Sequence, residues 1–480
     1  MEFDLNEEQR LLADSVARFV EGRYSPEQRR RWLAEPRGFS AGNWRAMVDL
    51  GLNALPFAEA DGGLGGDRLT RSVLAEALGA GPVTEPYLAC IVMAGGLLAE
   101  LGSRTQKDAW LAPLIDGSRV LCLAHAERAS RDRVDRVRTS ARRDGDGYRL
   151  DGEKTFVLAG GGADAAIVLA RTAGEHDDRD GLSLFVVALD APGVTRTPYR
   201  LVDGSLAAEI RFDAVHVADD ALLGKAGGAW PAVRQTMVDT ALAVCAESVG
   251  AMQRLLDMTL DYVRTREQFG GPIGRFQALQ HRLVDAYLAL EQARSLTMRV
   301  VRAADAAGGT DDAVAAAAFG ARALVAEAAR HVGHEAIQMH GGMGMTDELA
   351  VSHFHRRLLL LEAIFGDPSA HLDHTGTWFA CTASIRCPHS RSRPTWPFVT
   401  RSAPSSGPSS TTRCARPRPY TERVRGEGRD DPLATAAPCA RLGRLPVAGK
   451  PVAPAGRRCG ATSSRRSWRR PRPHAWRRWD

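Results

Sequence analysis

Tyr262-Val263-Arg264-Thr265-Arg266-Glu267-Gln268-Phe269-Gly270, followed by Pro272-Ile273-Gly274-Arg275-Phe276-Gln277 and His281, is the densest run of distinctive residues in the 480-residue chain. It falls in a region, from about 229 to 372, whose apolar spacing is helical and whose segments are long. Leu283, Tyr287 and Leu290 mark one expected buried stripe. Residues 312–338 read as an alanine-rich helix, capped by Thr310 or Asp311 and stopped by Gly341-Gly342. Arg266 is expected at a helix end, where a guanidinium either offsets the helix dipole or pairs with an anion in bidentate fashion. Long helices of this kind pack as a bundle.

Toward the N-terminus the pattern changes. Between about 119 and 220, short apolar runs (Val120–Ala124, Ala166–Ala170, Leu182–Leu189) are broken by the turn signals Asp144-Gly145-Asp146-Gly147 and Asp180-Gly181. Glu209-Ile210-Arg211-Phe212-Asp213 alternates with the period of a half-buried strand. A barrel-like all-β domain is expected here. Residues 1–118 read as helical again. Leu5, Leu12, Val16 and Phe19 form a stripe behind the N-cap candidate Asn6, and the glycine-rich loop Ala60–Gly66 precedes a helix with Leu74, Ala77 and Leu78.

The last fifth of the chain has no period at all. Residues 376–480 hold 14 of the 25 prolines, five of the nine tryptophans, and 22 Lys+Arg against 5 Asp+Glu. Proline at that density removes backbone donors and breaks helices. With Trp468, Trp476 and Trp479 the segment has the composition of an RNA- or membrane-binding arm, but a disordered or out-of-frame extension is the reading adopted. The net charge of +6 comes from this tail, because residues 1–375 carry 41 basic against 52 acidic side chains. Nucleic acid is therefore not an expected partner of the body. Cys90, Cys122 and Cys245 are scattered without metal or disulfide spacing, which fits a reducing compartment, and no metal is expected. No apolar stretch reaches the about 18 residues of a membrane span, and the polar start MEFDLNEEQR resembles no targeting signal, so the cytoplasm is the expected location.

The fold expectation is thus α+β multidomain: an N-terminal α-helical domain (1–118), a middle β-barrel domain (119–227), a C-terminal four-helix bundle (228–375) and a disordered basic tail (376–480). Over residues 1–372 the chain resembles the acyl-CoA dehydrogenase family, which has this domain order. The run from Tyr262 to His281 is similar to the family's "YxxxRxQFGxPIxxFQxxxH", Gln338-Met339-His340-Gly341-Gly342-Met343-Gly344-Met345 to its "QxxGGxGF", and Gly51–Gly65 to its "LGL…PEEYGGLG". The resemblance implies FAD as cofactor. Arg266 would pair with its pyrophosphate, Gln268, Phe269 and Gln277 would line its pocket, and Gln338, Gly341 and Gly342 would meet its adenosine part, held mainly by a neighbouring subunit. Phe156, in the place of the family's "WIT" segment, would stack beside the ring. An acyl-CoA substrate, a homologous subunit in a homo- or hetero-oligomer and an electron-transferring flavoprotein are the implied partners.

Chemistry of this class needs a carboxylate base beside the Cα–H of a thioester. At the family's usual position, aligned with Ile364-Phe365-Gly366-Asp367, the chain has Phe365; at the alternative position it has Thr240, followed by Ala241. Neither side chain can take the proton, so the catalytic residue is left unassigned. Asp239, Glu247 and Glu362 lie nearby and are read as structural. The flavin-facing loop is altered too: in Ala124-His125-Ala126-Glu127-Arg128-Ala129-Ser130 only Glu127 matches the family pattern. By the resemblance, the groups expected to grip a neighbour's flavin persist while those expected in the chain's own site are degraded. That pattern fits one subunit of a heteromer whose partner supplies the base, a kind of pair that in this family often acts on bulky acyl groups such as sterol side chains. A non-catalytic flavin- or CoA-binding subunit is the alternative.

Overall fold

A computed structural model describes residues 4–373; the expectation for residues 376–480 lies outside the described residues. The first helix, α1 (Glu7–Arg23), starts in a capping box in which Asn6 and Gln9 bond each other's main chain, as Asn6 predicts, and it buries Val16, Phe19 and Val20. Helices α2 (Pro26–Leu33), α3 (Ala41–Asp49) and α4 (Arg68–Gly79) follow, each with a Ser or Asp side chain capping its N-terminus. The glycine loop between α3 and α4 is compact. A Cβ on Gly63 would lie inside the Phe57 carbonyl, and Lys107 holds Asp61 at 2.8 Å. A buried π-helical segment, Leu88–Gly95, and the short helices α5 (Gly96–Leu101), α6 (Arg104–Gln106) and α7 (Ala112–Ile115) complete this part.

The middle region is a mixed sheet of β1 (Leu121–Ala124), β2 (Ser140–Asp144), β3 (Gly147–Leu158), β4 (Ala165–Arg171), β5 (Leu182–Ala188), β6 (Val194–Arg200), β7 (Leu206–Ala218) and β8 (Leu222–Leu223). The Asp144–Gly147 signal is the β2–β3 hairpin turn, and Glu209–Asp213 lies in β7 with Ile210 and Phe212 buried. The expected barrel is not found. The order is β6-β7-β3-β2-β4-β5-β8, with β1 added parallel to β4, and the ends do not join. The reason lies in the edges. β6 is almost wholly exposed and carries Pro198, while β8 is two residues long, so neither edge offers a ladder to close on. β4, buried at every position, pairs with β1, β2 and β5.

The C-terminal layer contains the helices α8 (Trp230–Thr265), α9 (Gln277–Ala307), α10 (Asp312–His340) and the shorter α11 (Ala350–Ala363). Asp311 caps α10 through the Val314 amide at 2.7 Å, and Gly341 at φ 62° ends it. Between α8 and α9 lies a small hairpin, β9 (Glu267–Gln268) with β10 (Gly271–Pro272). One stripe residue is misplaced. Leu283 and Leu290 are buried in α9, but Tyr287 is 41% exposed beside Val284 and Leu288, because its position lies at the edge of the apolar arc. α4 crosses α8 where Gly79 faces the Glu247 carbonyl and Gly250 faces the Glu76 carbonyl, both too close for any Cβ. No helix among the described residues is long and apolar enough to cross a membrane.

Candidate functional site

Two separate surface depressions hold most of the residues singled out in the sequence. The first, about 1020 Å³ and open, sits at the end of α8 against the end of α10, and Tyr262, Arg266, Gln268, Gln338, Gly341 and Gly342 line it. α8 stops at Thr265 and Arg266 follows as its C-cap, with extended backbone. Its main chain bonds Tyr262 and Ile273, while its exposed guanidinium has no partner among the described residues. His340 turns its Nδ1 to the Ala336 carbonyl (2.8 Å) and stacks on Tyr262 with ring centroids 4.3 Å apart, which stiffens the wall. A Cβ on Gly341 or Gly342 would meet nothing, so the backbone there is open to approach.

Phe269 and Gln277 are not among the residues lining this depression. Phe269 stands on the β9–β10 hairpin at φ 55°, 84% exposed, with its ring edge toward Phe276. Arg275 braces that hairpin by donating to the carbonyls of Phe269 and Gly270. Gln277 opens α9 and is exposed.

The second depression, about 280 Å³, lies against the sheet and shares no residue with the first. His125, Glu127, Arg131, Phe156 and Phe365 line it. Phe156 (φ 52°) and Phe365 (φ 59°) both hold the left-handed backbone region, which is unusual for aromatic residues and concentrates at functional sites. Phe365 is buried, with its ring 5.0 Å from that of His125, and Nδ1 of His125 is buried without a hydrogen-bond partner among the described residues. Burial, reinforced by the charge of Lys154, lowers the His125 pKa to about 4, so the ring is neutral at pH 7.

Glu127 turns away from chemistry and into structure. It accepts from Lys154 Nζ at 2.8 Å and from the amides of Arg138 (2.8 Å) and Thr139 (2.9 Å). Burial alone would raise its pKa, but Lys154 and the amides overrule it and hold the carboxyl below its usual range. Lys154 itself is fully buried in β3, at a register the sequence pattern did not reveal. The three carboxylates near the base positions are likewise engaged: Asp239 with Arg68 (3.0 Å), Glu247 with Arg357 (2.7 Å), and Glu362 with Arg330. Arg357 also holds Asp203 at 3.0 Å, a role without any local signal, since its partners are more than a hundred residues away. Thr240 is fully buried, and its hydroxyl has no hydrogen-bond partner among the described residues.

Family models for acyl-CoA dehydrogenases match three consecutive segments: the N-terminal domain over residues 6–118, the middle domain over 122–215 and the C-terminal domain over 227–377. A probable acyl-CoA dehydrogenase of Bacillus subtilis, YngJ, is 30% identical over 367 residues, covering 75% of this chain and 95% of that protein. The chain belongs to the acyl-CoA dehydrogenase family. Among solved structures of the same architecture, the ChsE4-ChsE5 complex from Mycobacterium tuberculosis aligns at a TM-score of 0.71 and 28% identity, over 79% of this chain and 99% of that one. The FAD complex of PigA aligns at a TM-score of 0.73 and 25% identity, over 80% of this chain and all of that one. Set against the family motifs, Phe156 and Phe365 are departures that fall at one place in three dimensions, whereas the departure at Thr240 is buried within α8.

Two neutral histidines make stability pH-dependent. His353 accepts from Arg29 at 3.1 Å on Nδ1 and donates to the Asp347 carbonyl from Nε2, an arrangement that needs the neutral ring. Burial, then Arg29, lowers its pKa to about 4. In the unfolded chain both His125 and His353 take a proton near the ordinary value of 6.5, so the unfolded state binds more protons as pH falls from 6.5 toward 4. Stability is full above that window and is lost within it. The urea midpoint is expected to be lower at pH 5 than at pH 7, and the difference should shrink in His353→Gln.

Proposed function

We propose that this protein catalyses FAD-dependent α,β-dehydrogenation of an acyl-CoA thioester as one subunit of a heteromer whose partner supplies the catalytic base. The observation that carries this is Phe365. It takes the place of the base, buried against His125 beside Phe156, while the nearby carboxylates are tied to arginines. The depression around Arg266 keeps what a flavin's phosphates and adenosine need: an unpaired guanidinium, two side-chain amides, and glycine backbone open to approach. The ChsE4-ChsE5 complex supports a two-chain assembly by likeness of fold and sequence.

In this reading FAD, when bound, would supply the acceptor for the hydride that leaves the β carbon of the acyl group. Arg266 would hold the pyrophosphate charge, and Gln268 and Gln338 would orient the cofactor for the neighbouring subunit. Phe269, on its braced hairpin, and Gln277 stand outside the depression and would complete the cofactor's surroundings from there. On the chain's own side Phe156 and Phe365 exclude water from the ring face, and the neutral His125 brings no charge there. The partner's carboxylate removes the α-proton, and an electron-transferring flavoprotein takes the electrons onward. The second reading, a flavin- or CoA-binding subunit without turnover, is favoured by the same Phe365 and differs only in what the assembled complex does.

Arg266→Gln removes the charge while keeping a donor. FAD affinity, followed by flavin fluorescence during dilution of the purified complex, is expected to fall about 10- to 100-fold, the range for losing a charge-assisted hydrogen-bonding pair. Unchanged retention would remove Arg266 from the cofactor site.

A further inference from the structure

Arg322, in α10, is 1% exposed and carries its charge into the interior of the C-terminal layer. Its Nη2 donates to the Leu361 carbonyl, while its Nη1 is buried with no hydrogen-bond partner among the described residues. Among those residues no carboxylate bonds to it. Glu362 is held by Arg330, about two turns further along α10. Cys245 brings no charge, because burial pushes its thiol up to about 11. Burial pushes the guanidinium down, against smaller effects of Cys245 and Glu362. An apolar side chain of similar length would fill the same space without the desolvation a buried charge suffers. Packing alone therefore gives no reason for an arginine here.

What the guanidinium meets is the end of α11. The last four carbonyls of a helix have no intrahelical partner, and that end carries partial negative charge. α11 has no basic residue in its own last turn and places Glu362 there instead. Arg322 supplies the cation from the neighbouring helix. Directly beyond, the chain turns. The Ile364 amide bonds the same Leu361 carbonyl at 3.3 Å, and the Gly366 amide bonds the Ala363 carbonyl at 3.4 Å. Between them Phe365 holds the left-handed region, which a bulky residue keeps only where its surroundings over-determine it. A Cβ on Gly366 would come within 2.8 Å of Ala370 and 3.1 Å of Asp132, which lines the depression with Phe365.

We propose that Arg322 is the positioning residue of this turn: by anchoring the last turn of α11 it fixes position 365, the place of the base in the family, against the sheet. The placement stands on the geometry of α10 and α11, and its use in catalysis rests on the acyl-CoA reading above. Arg330, half exposed, ties the same two helices through the Glu362 side chain and leaves the Leu361 carbonyl to Arg322.

The test is amide hydrogen exchange of the full-length protein, read by mass spectrometry on peptides covering residues 362–367. Arg322→Met keeps the length and removes the charge and the donors. Exchange in that segment is expected to quicken about 10- to 100-fold, the worth of a hydrogen bond to a charged group, while peptides from β4 and the middle of α8 keep the wild-type rate. Arg322→Lys, which retains a charged donor, should restore slow exchange, and Arg330→Met should leave it unchanged. In the Phe365→Glu protein, Arg322→Met should remove the gain in flavin bleaching that the glutamate brings, and Arg322→Lys should keep it. Unchanged exchange over 362–367 in Arg322→Met, or equal acceleration throughout the protein, overturns the proposal. An equal effect of Arg330→Met overturns it as well, since Arg322 would then be one of two general ties between the helices. If Arg322→Met does not fold, Arg322→Gln replaces it: faster exchange confined to 362–367 supports the proposal, and the wild-type rate overturns it. Local acceleration in Arg322→Met, with no bleaching by Phe365→Glu, upholds the positioning and counts against the acyl-CoA reading alone.

Discussion

Phe365→Glu, in the protein purified without any partner, is expected to bleach its flavin on addition of an acyl-CoA about 10²- to 10⁴-fold faster than the wild-type chain, the range a positioned general base contributes. Position 365 is buried beside a neutral histidine, so a carboxyl introduced there has its pKa raised by desolvation toward the value a base needs near neutral pH. Glutamate is no worse than phenylalanine at φ 59°, and Gly366 (φ 110°) keeps the turn that follows. Phe365→Gln has nearly the same shape without the base and should stay at the wild-type rate. If Phe365→Glu keeps its FAD and its circular dichroism yet matches Phe365→Gln, the position is not where the proton is taken.

Lys154→Met should give the largest loss of stability. Lys154 and Glu127 are 0% and 6% exposed, so solvent does not screen their 2.8 Å contact. Removing the ammonium leaves a buried carboxylate with two amides and no counter-charge, which costs about 3–5 kcal/mol. The double variant Lys154→Met/Glu127→Gln removes both charges and should recover a good part of that loss. Denaturant unfolding monitored by tryptophan fluorescence measures both, and a cost under about 1 kcal/mol for the single variant would mean that the pair is solvated after all. Because His125 gives its carbonyl to the same Lys154, the variant should also weaken the depression around Phe365.

What could be read from the sequence is what local chemistry decides. Asn6 and Asp311 cap the helices predicted for them, Asp144–Gly147 turns a hairpin, and Arg266 closes α8. Each of these depends on neighbours within a few residues. Sheet closure depends instead on whether two distant edge strands pair, and β6 and β8 do not. Tyr287 has the spacing of a core residue and yet lies at the edge of its helix's apolar arc. The ionic partners of Lys154 and Arg357 were invisible for a similar reason, being tens to more than a hundred residues away in sequence. The candidate site divides in the same manner. The run from Tyr262 to Gly270 and the Gln338–Gly342 loop each announce themselves as motifs, but only the fold shows them facing one depression, with Phe269 and Gln277 outside its lining and Phe156 in another.

The most direct measurement is the anaerobic absorbance of the flavin in the purified protein, alone and mixed with a homologous partner subunit, before and after acyl-CoA is added. With Phe365 in the base position, the chain alone should keep its oxidised flavin spectrum and the mixture should bleach. Bleaching by the chain alone would contradict the account, because it would require a base within this subunit that the geometry around Phe365, Thr240 and the arginine-bound carboxylates does not provide.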